Sequence, residues 1–87
     1  MTPAIRIGRN IRPIRRAADL SQEACAEWAG IHKTSISLYE TGLRMPKMEA
    51  LLRLAGALKV EPGVLFEGVR WVPSVYGMEG FVYEDEA

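Results

Sequence analysis

Residues 21–40, SQEACAEWAGIHKTSISLYE, hold a cap residue, two short amphipathic stretches and a glycine between them, which is the spacing of a helix-turn-helix. Ser21 is placed to cap the first helix, because its hydroxyl accepts from the unpaired amides of the turn that Gln22 and Glu23 open. Cys25 and Ala26 then face inward. Gly30 follows where the chain must reverse, and positive φ costs glycine least. In the second helix, at about 100° per residue, Ile36, Tyr39 and Glu40 share one side, while Thr34, Ser37 and Leu38 lie roughly opposite. Ala26 is small, as two helices crossing over a short turn require where their axes approach. One side packs and the other is free to read, an arrangement that points to DNA.

Working outward, Thr2-Pro3 reads as a cap followed by proline at the first helical position. Ile7, Ile11 and Ile14 then supply one apolar stripe for a first helix. Pro13 lies inside that helix and is expected to kink or loosen it, since it removes an amide donor. After residue 40, Thr41–Pro46 reads as a loop with Gly42 at its tight point. Met48, Leu51, Leu52, Ala55 and Leu58 give a fourth helix, and a short fifth begins after Glu61 with Pro62, returning Leu65 and Phe66 to the core.

Beyond Glu67 the texture changes. Trp71, Tyr76, Phe81 and Tyr83 are four of the seven aromatics in the chain. Val69–Val72 and Gly80–Glu84 read as short strands, with Gly77 to Gly80 able to turn between them. The expected organisation is a helical domain over residues 1–66 and an acidic aromatic arm over 67–87. Charge divides the same way. The formal net charge is zero, but residues 1–66 hold ten Lys/Arg against six Asp/Glu and residues 67–87 hold one against five. One cysteine makes no internal disulfide, and no apolar run approaches the roughly 18 residues of a membrane span. The arginine-studded N-terminus lacks the apolar core of a signal peptide, so a bacterial-type cytoplasm is the expected location. One histidine and one cysteine form no catalytic or metal-ligating constellation, so neither enzyme nor cofactor nor metal is expected.

Ile7-Gly8-Arg9-Asn10-Ile11-Arg12, Arg15, Leu20-Ser21-Gln22, Ala26, Gly30-Ile31, Ile36-Ser37, Tyr39-Glu40, Gly42, Pro46, Leu51-Leu52, Leu54-Ala55, Leu58 and Leu65-Phe66 fall in one register over about sixty residues. In this register the chain resembles the Cro/repressor-type helix-turn-helix domain, the XRE family of bacterial and phage transcriptional regulators. The resemblance implies a mainly α fold, a five-helix lambda-repressor-like DNA-binding domain, here followed by a short C-terminal β-type arm. Pro13, Leu38 and Cys25 depart from the family pattern, which tends to place a polar residue at the second position and a larger apolar one at the third.

The resemblance also implies roles. Lys33 and Thr34, at the start of the second helix of the motif, become the leading base-reading positions, with Ser37 and Leu38 farther along. Lysine donates to guanine O6/N7, and threonine meets thymine through its hydroxyl or methyl. Phosphate anchoring is expected from Gln22, His32, Arg44 and Lys47. A solvated helix face and ordinary surface charge are the alternatives for these two groups. Arg15 and Glu40 are implied as an internal structural ion pair, Trp28 as a packing or rim residue, and Cys25 as a buried inert thiol.

Two functions follow as expectations. The first is a dimeric, sequence-specific regulator on a pseudo-palindromic operator in double-stranded DNA, its dimer built by Trp71, Val72, Phe81 and Tyr83 of the arm. The second is an antitoxin-like module whose arm binds a partner protein while the helix-turn-helix binds its own operator.

Overall fold

Thr2 and Ser21 act as the sequence predicts. In the computed structural model, which describes residues 1–73 and 80–84, Thr2 Oγ1 accepts from the amide of Ile5 at 3.2 Å and Ser21 Oγ from that of Ala24 at 3.0 Å. These caps open α1 (Pro3–Ala17) and α2 (Gln22–Ala29). The turn after α2 passes through Gly30 at φ 69° and ψ 35°. There the amide of Ile31 donates to the Ala26 carbonyl and that of Gly30 to the Glu27 carbonyl, which satisfies two of the carbonyls a helix end leaves open. Then come α3 (Lys33–Glu40), α4 (Met48–Leu58), α5 (Pro62–Leu65), β1 (Val69–Val72) and β2 (Gly80–Tyr83).

Ile7, Ile11, Cys25, Ala26, Ile36, Leu54 and Leu65 form the centre of a core to which all five helices contribute. Gly8 sets how closely α1 and α3 approach. A Cβ there would strike the carbonyl oxygen of Tyr39 and lie 2.7 Å from that of Glu40, so the two backbones meet in near contact only because the side chain is absent.

The α1 helix continues through Pro13; Pro13 and Arg9, whose carbonyl loses its amide partner, are both exposed residues. The α4 helix forms where its apolar spacing predicts it; within it Met48 and Leu52 are 61% and 51% exposed, while Leu54 is fully buried. At about 100° per residue, Leu51, Leu54, Ala55 and Leu58 span one arc; Met48 and Leu52 fall on its rim. One expectation is corrected: of the pair after Pro62, Leu65 enters the core, whereas Phe66, expected there with it, remains 38% exposed.

The arm is an antiparallel hairpin with Val69 opposite Tyr83, Arg70 opposite Val82, Trp71 opposite Phe81 and Val72 opposite Gly80. Alternation puts Val69, Trp71, Phe81 and Tyr83 on one face and Arg70, Val72 and Val82 on the other. Trp71 and Phe81 meet edge to face, with ring centroids 5.2 Å apart. The hairpin is anchored at its base, where the amide of Glu84 donates to the Gly68 carbonyl at 2.9 Å and Val69 packs on the helical core. Asn10 reinforces that junction from α1 by donating to the carbonyls of Leu65 and Glu67. Tyr76 and the Gly77 end of the expected turn lie outside the described residues.

Candidate nucleic-acid interface

The framework of the site is a buried charge pair. Arg15, 8% exposed, and Glu40, 7% exposed, meet in a two-pronged contact: Nε donates to Oε2 at 2.5 Å and Nη2 to Oε1 at 3.0 Å. The third prong, Nη1, donates to the Leu20 carbonyl at 2.8 Å. Glu40, first by hydrogen bonding, raises the Arg15 pKa above its ordinary value, against the opposing effect of burial. Glu40 Oε1 also accepts from Gln22 Nε2 at 3.2 Å and lies 3.7 Å from Arg12 Nε. One carboxylate at the end of α3 therefore ties together α1 and the first residue of α2. Gln22 is half-buried by this bond, and its amide sits at the N-terminus of α2 with the orientation fixed by Glu40.

Lys33 and Thr34 are exposed in the first turn of α3, and Ser37 and Leu38 are half-buried one turn on. His32 is exposed at the N-cap of α3, in extended backbone and without a side-chain capping bond. Lys33 is not free: its Nζ is 2.8 Å from Glu23 Oε1 on α2. The ammonium, by hydrogen bond and then by charge, holds the Glu23 carboxyl below its usual range.

Arg44 and Lys47 are exposed on the α3–α4 loop and line an open groove of about 700 Å³ with Gly30, Ile31 and Arg53. Sequence reasoning missed two residues here. Arg53 joins Arg44 and Lys47 in the groove, and the only trace in the sequence is its i,i+4 spacing from Glu49, with which it pairs at 3.3 Å. Glu23 is the other, an acidic first-turn residue whose reach to Lys33 depends on the interhelical turn.

The remaining candidates lie apart from this surface. Cys25 is fully buried, and burial pushes its thiol pKa up, with the Arg15 charge opposing. Trp28 projects into solvent as an exposed residue. Trp71 and Phe81 are 52% and 49% exposed, Tyr83 shares their face, and Val72 stands on the opposite one. Among the described residues, no three His, Cys, Asp or Glu side chains converge as a metal would need, and no helix is long and apolar enough to cross a membrane.

A helix-turn-helix domain model matches residues 6–67. Among solved structures, the restriction-modification controller protein C.AhdI from Aeromonas hydrophila is 35% identical, with a TM-score of 0.71 over 72% of this chain and 96% of that one. The chain belongs to the Cro/repressor-type helix-turn-helix family. The P22 c2 repressor, solved in complex with a synthetic operator, is 32% identical, with a TM-score of 0.67 over 71% of this chain and 94% of that one. A hypothetical transcription factor from Neisseria is 25% identical, with a TM-score of 0.71 over 75% of each chain. Comparison with curated protein sequences yields no match. The helix-turn-helix of this family is a DNA-binding element of transcription regulators and not an enzyme fold, and the matched span takes in α2, α3 and the Arg15–Glu40 pair.

Proposed function

We propose that this protein is a sequence-specific transcriptional regulator that binds a pseudo-palindromic operator as a homodimer, with α3 in the major groove. The observation that carries the reading is the exposed first turn of α3, Lys33 and Thr34, mounted on a helix whose other end is locked by the buried Arg15–Glu40 pair. A helix held that rigidly presents donors to base edges at low entropic cost. Ser37 and Leu38, partly covered, serve the same groove farther along. Gln22, His32, Arg44 and Lys47 border this surface as phosphate contacts, and Arg53 joins them through the groove it shares with Arg44 and Lys47. A cytoplasmic site of action, in a bacterium or for a phage genome, goes with this role.

Dimerisation is supported by a second feature. Met45, Met48, Phe66 and Phe81 border an apolar groove of about 530 Å³ between α1, α4 and the hairpin, and Trp71 is exposed beside Phe81. Apolar surface of this kind needs cover, and a twin hairpin with Trp71, Phe81 and Tyr83 on one face supplies it; Val72, on the reverse, contributes least. The same exposed aromatics favour one alternative, an antitoxin-like module whose arm takes a different protein as partner. Selection of DNA from a random pool by the purified protein tests the function. Recovered sites are expected to be two-fold symmetric, with half-site centres about 10 to 11 base pairs apart. Enrichment of no sequence refutes the proposal, and a dimer that forms only with a co-purified second protein supports the alternative.

A further inference from the structure

The interface holds one carboxylate where a phosphate-binding surface has least use for it. Glu23 stands in the first turn of α2, and its side chain and that of Lys33 are 74% and 57% exposed, so the pair lies open on the face that α3 presents. Nothing in the fold needs it: neither residue belongs to the core, and the pair joins two helices already packed through Cys25, Ala26 and Ile36. A lysine at this position carries a flexible four-carbon stem, and left alone it reaches the nearest phosphate as readily as a base. Its ammonium has three N–H donors. One is taken by Glu23 Oε1, and on a side chain 57% exposed the other two are left for an outside acceptor, the number that guanine O6 and N7 offer.

We infer that Glu23 is a positioning residue for sequence selectivity: it tethers Lys33 in the orientation that reads a guanine and, by its own negative charge, keeps that lysine off the phosphates. The inference rests on the DNA-reading role of α3. Held by Glu23, Lys33 adds little to binding at a random sequence, where only backbone contacts are on offer, and adds its full contribution where a guanine edge meets its remaining donors. A carboxylate acting merely as a repulsive charge would weaken operator and random DNA by the same factor. A tether changes their ratio.

Glu23→Gln, an exposed and nearly isosteric change, tests this by titration of the selected operator and of random duplex across a salt series. Random-duplex affinity is expected to rise about three-fold with a salt slope steeper by about one, and the operator-to-random ratio to fall about five-fold or more. In a Lys33→Ala background the same Glu23→Gln change is expected to leave the ratio unaltered, because there is no lysine to tether. A parallel shift of both affinities, or a fall in the ratio that persists without Lys33, overturns the inference while leaving the DNA-reading role intact. A wild-type protein that does not discriminate operator from random duplex overturns both.

Discussion

Replacing Glu40 by alanine strips Arg15 of two of the three hydrogen bonds that hold its guanidinium, leaving only the one to the Leu20 carbonyl. The arginine cannot simply turn to water, because its side chain is only 10% exposed between α1, α2 and α3. Hydrogen bonds involving charged groups contribute about 1.5 to 3 kcal/mol each, so the two lost bonds sum to about 3 to 6. Breaking one side of a buried ion pair costs about 3 to 5 kcal/mol by the same logic. A domain of this size has about 4 to 13 kcal/mol in all, so Glu40→Ala removes a large share of its stability. With about 4 to 8 °C per kcal/mol, the thermal midpoint followed by circular dichroism should drop by about 12 °C or more. The double change Arg15→Met with Glu40→Leu should recover part of the loss, since it replaces the pair by apolar groups rather than stranding one charge. Operator affinity should fall in the single variant even below its midpoint, because Gln22 loses the acceptor that orients it. A midpoint shift under about 4 °C would refute the reasoning, since it would mean that the guanidinium finds water without unfolding the domain.

Arg44→Ala should lower affinity for operator and random duplex together and flatten the salt slope by about one unit, as titration over a salt series would reveal. Truncation after Glu67 should abolish the dimer in sedimentation and make operator binding weaker and concentration-dependent; an unchanged dimer would exclude the arm as the interface. Cys25 makes stability fall at alkaline pH. Burial raises its folded-state pKa above the ordinary thiol value of about 8.5, so the unfolded chain ionises first. The stabilisation is complete below that ordinary value and is lost as pH rises through the folded-state pKa, at up to about 1.4 kcal/mol per pH unit. Urea midpoints measured from pH 7 to 10 should decline less steeply for Cys25→Ala.

Local chemistry was legible wherever a residue answers to its near neighbours. Ser21, Gly30 and Thr2 mark helix ends because caps and left-handed turns are settled within a few residues, and the structure places all three as read. Strand alternation likewise gave the hairpin, whose register pairs Trp71 with Phe81. What escaped depends on how elements meet. The periodicity of α4 gave an apolar arc but not its centre, so Leu52 and Met48 on the rim were indistinguishable from Leu54 within it. At Pro13 the cost of the missing amide depends on whether water reaches the Arg9 carbonyl, which no periodicity within α1 shows. Glu23 and Arg53 owe their roles to neighbours on other elements, Lys33 and the Arg44 loop, and the bond of Gln22 to Glu40 likewise depends on how α2 meets α3. No pattern within a single helix reveals such contacts.

Base reading by the first turn of α3 is tested most directly by the preference profile of Lys33→Ala. Selection from a random pool, run side by side for the wild-type and variant proteins, gives the discrimination at each operator position. Loss of discrimination is expected at one base pair in each half-site, symmetrically placed and worth about 1 to 3 kcal/mol per position, with the other positions kept. A profile identical to that of the wild type, or an even loss across the whole site, would contradict the assignment of α3 as the reading element.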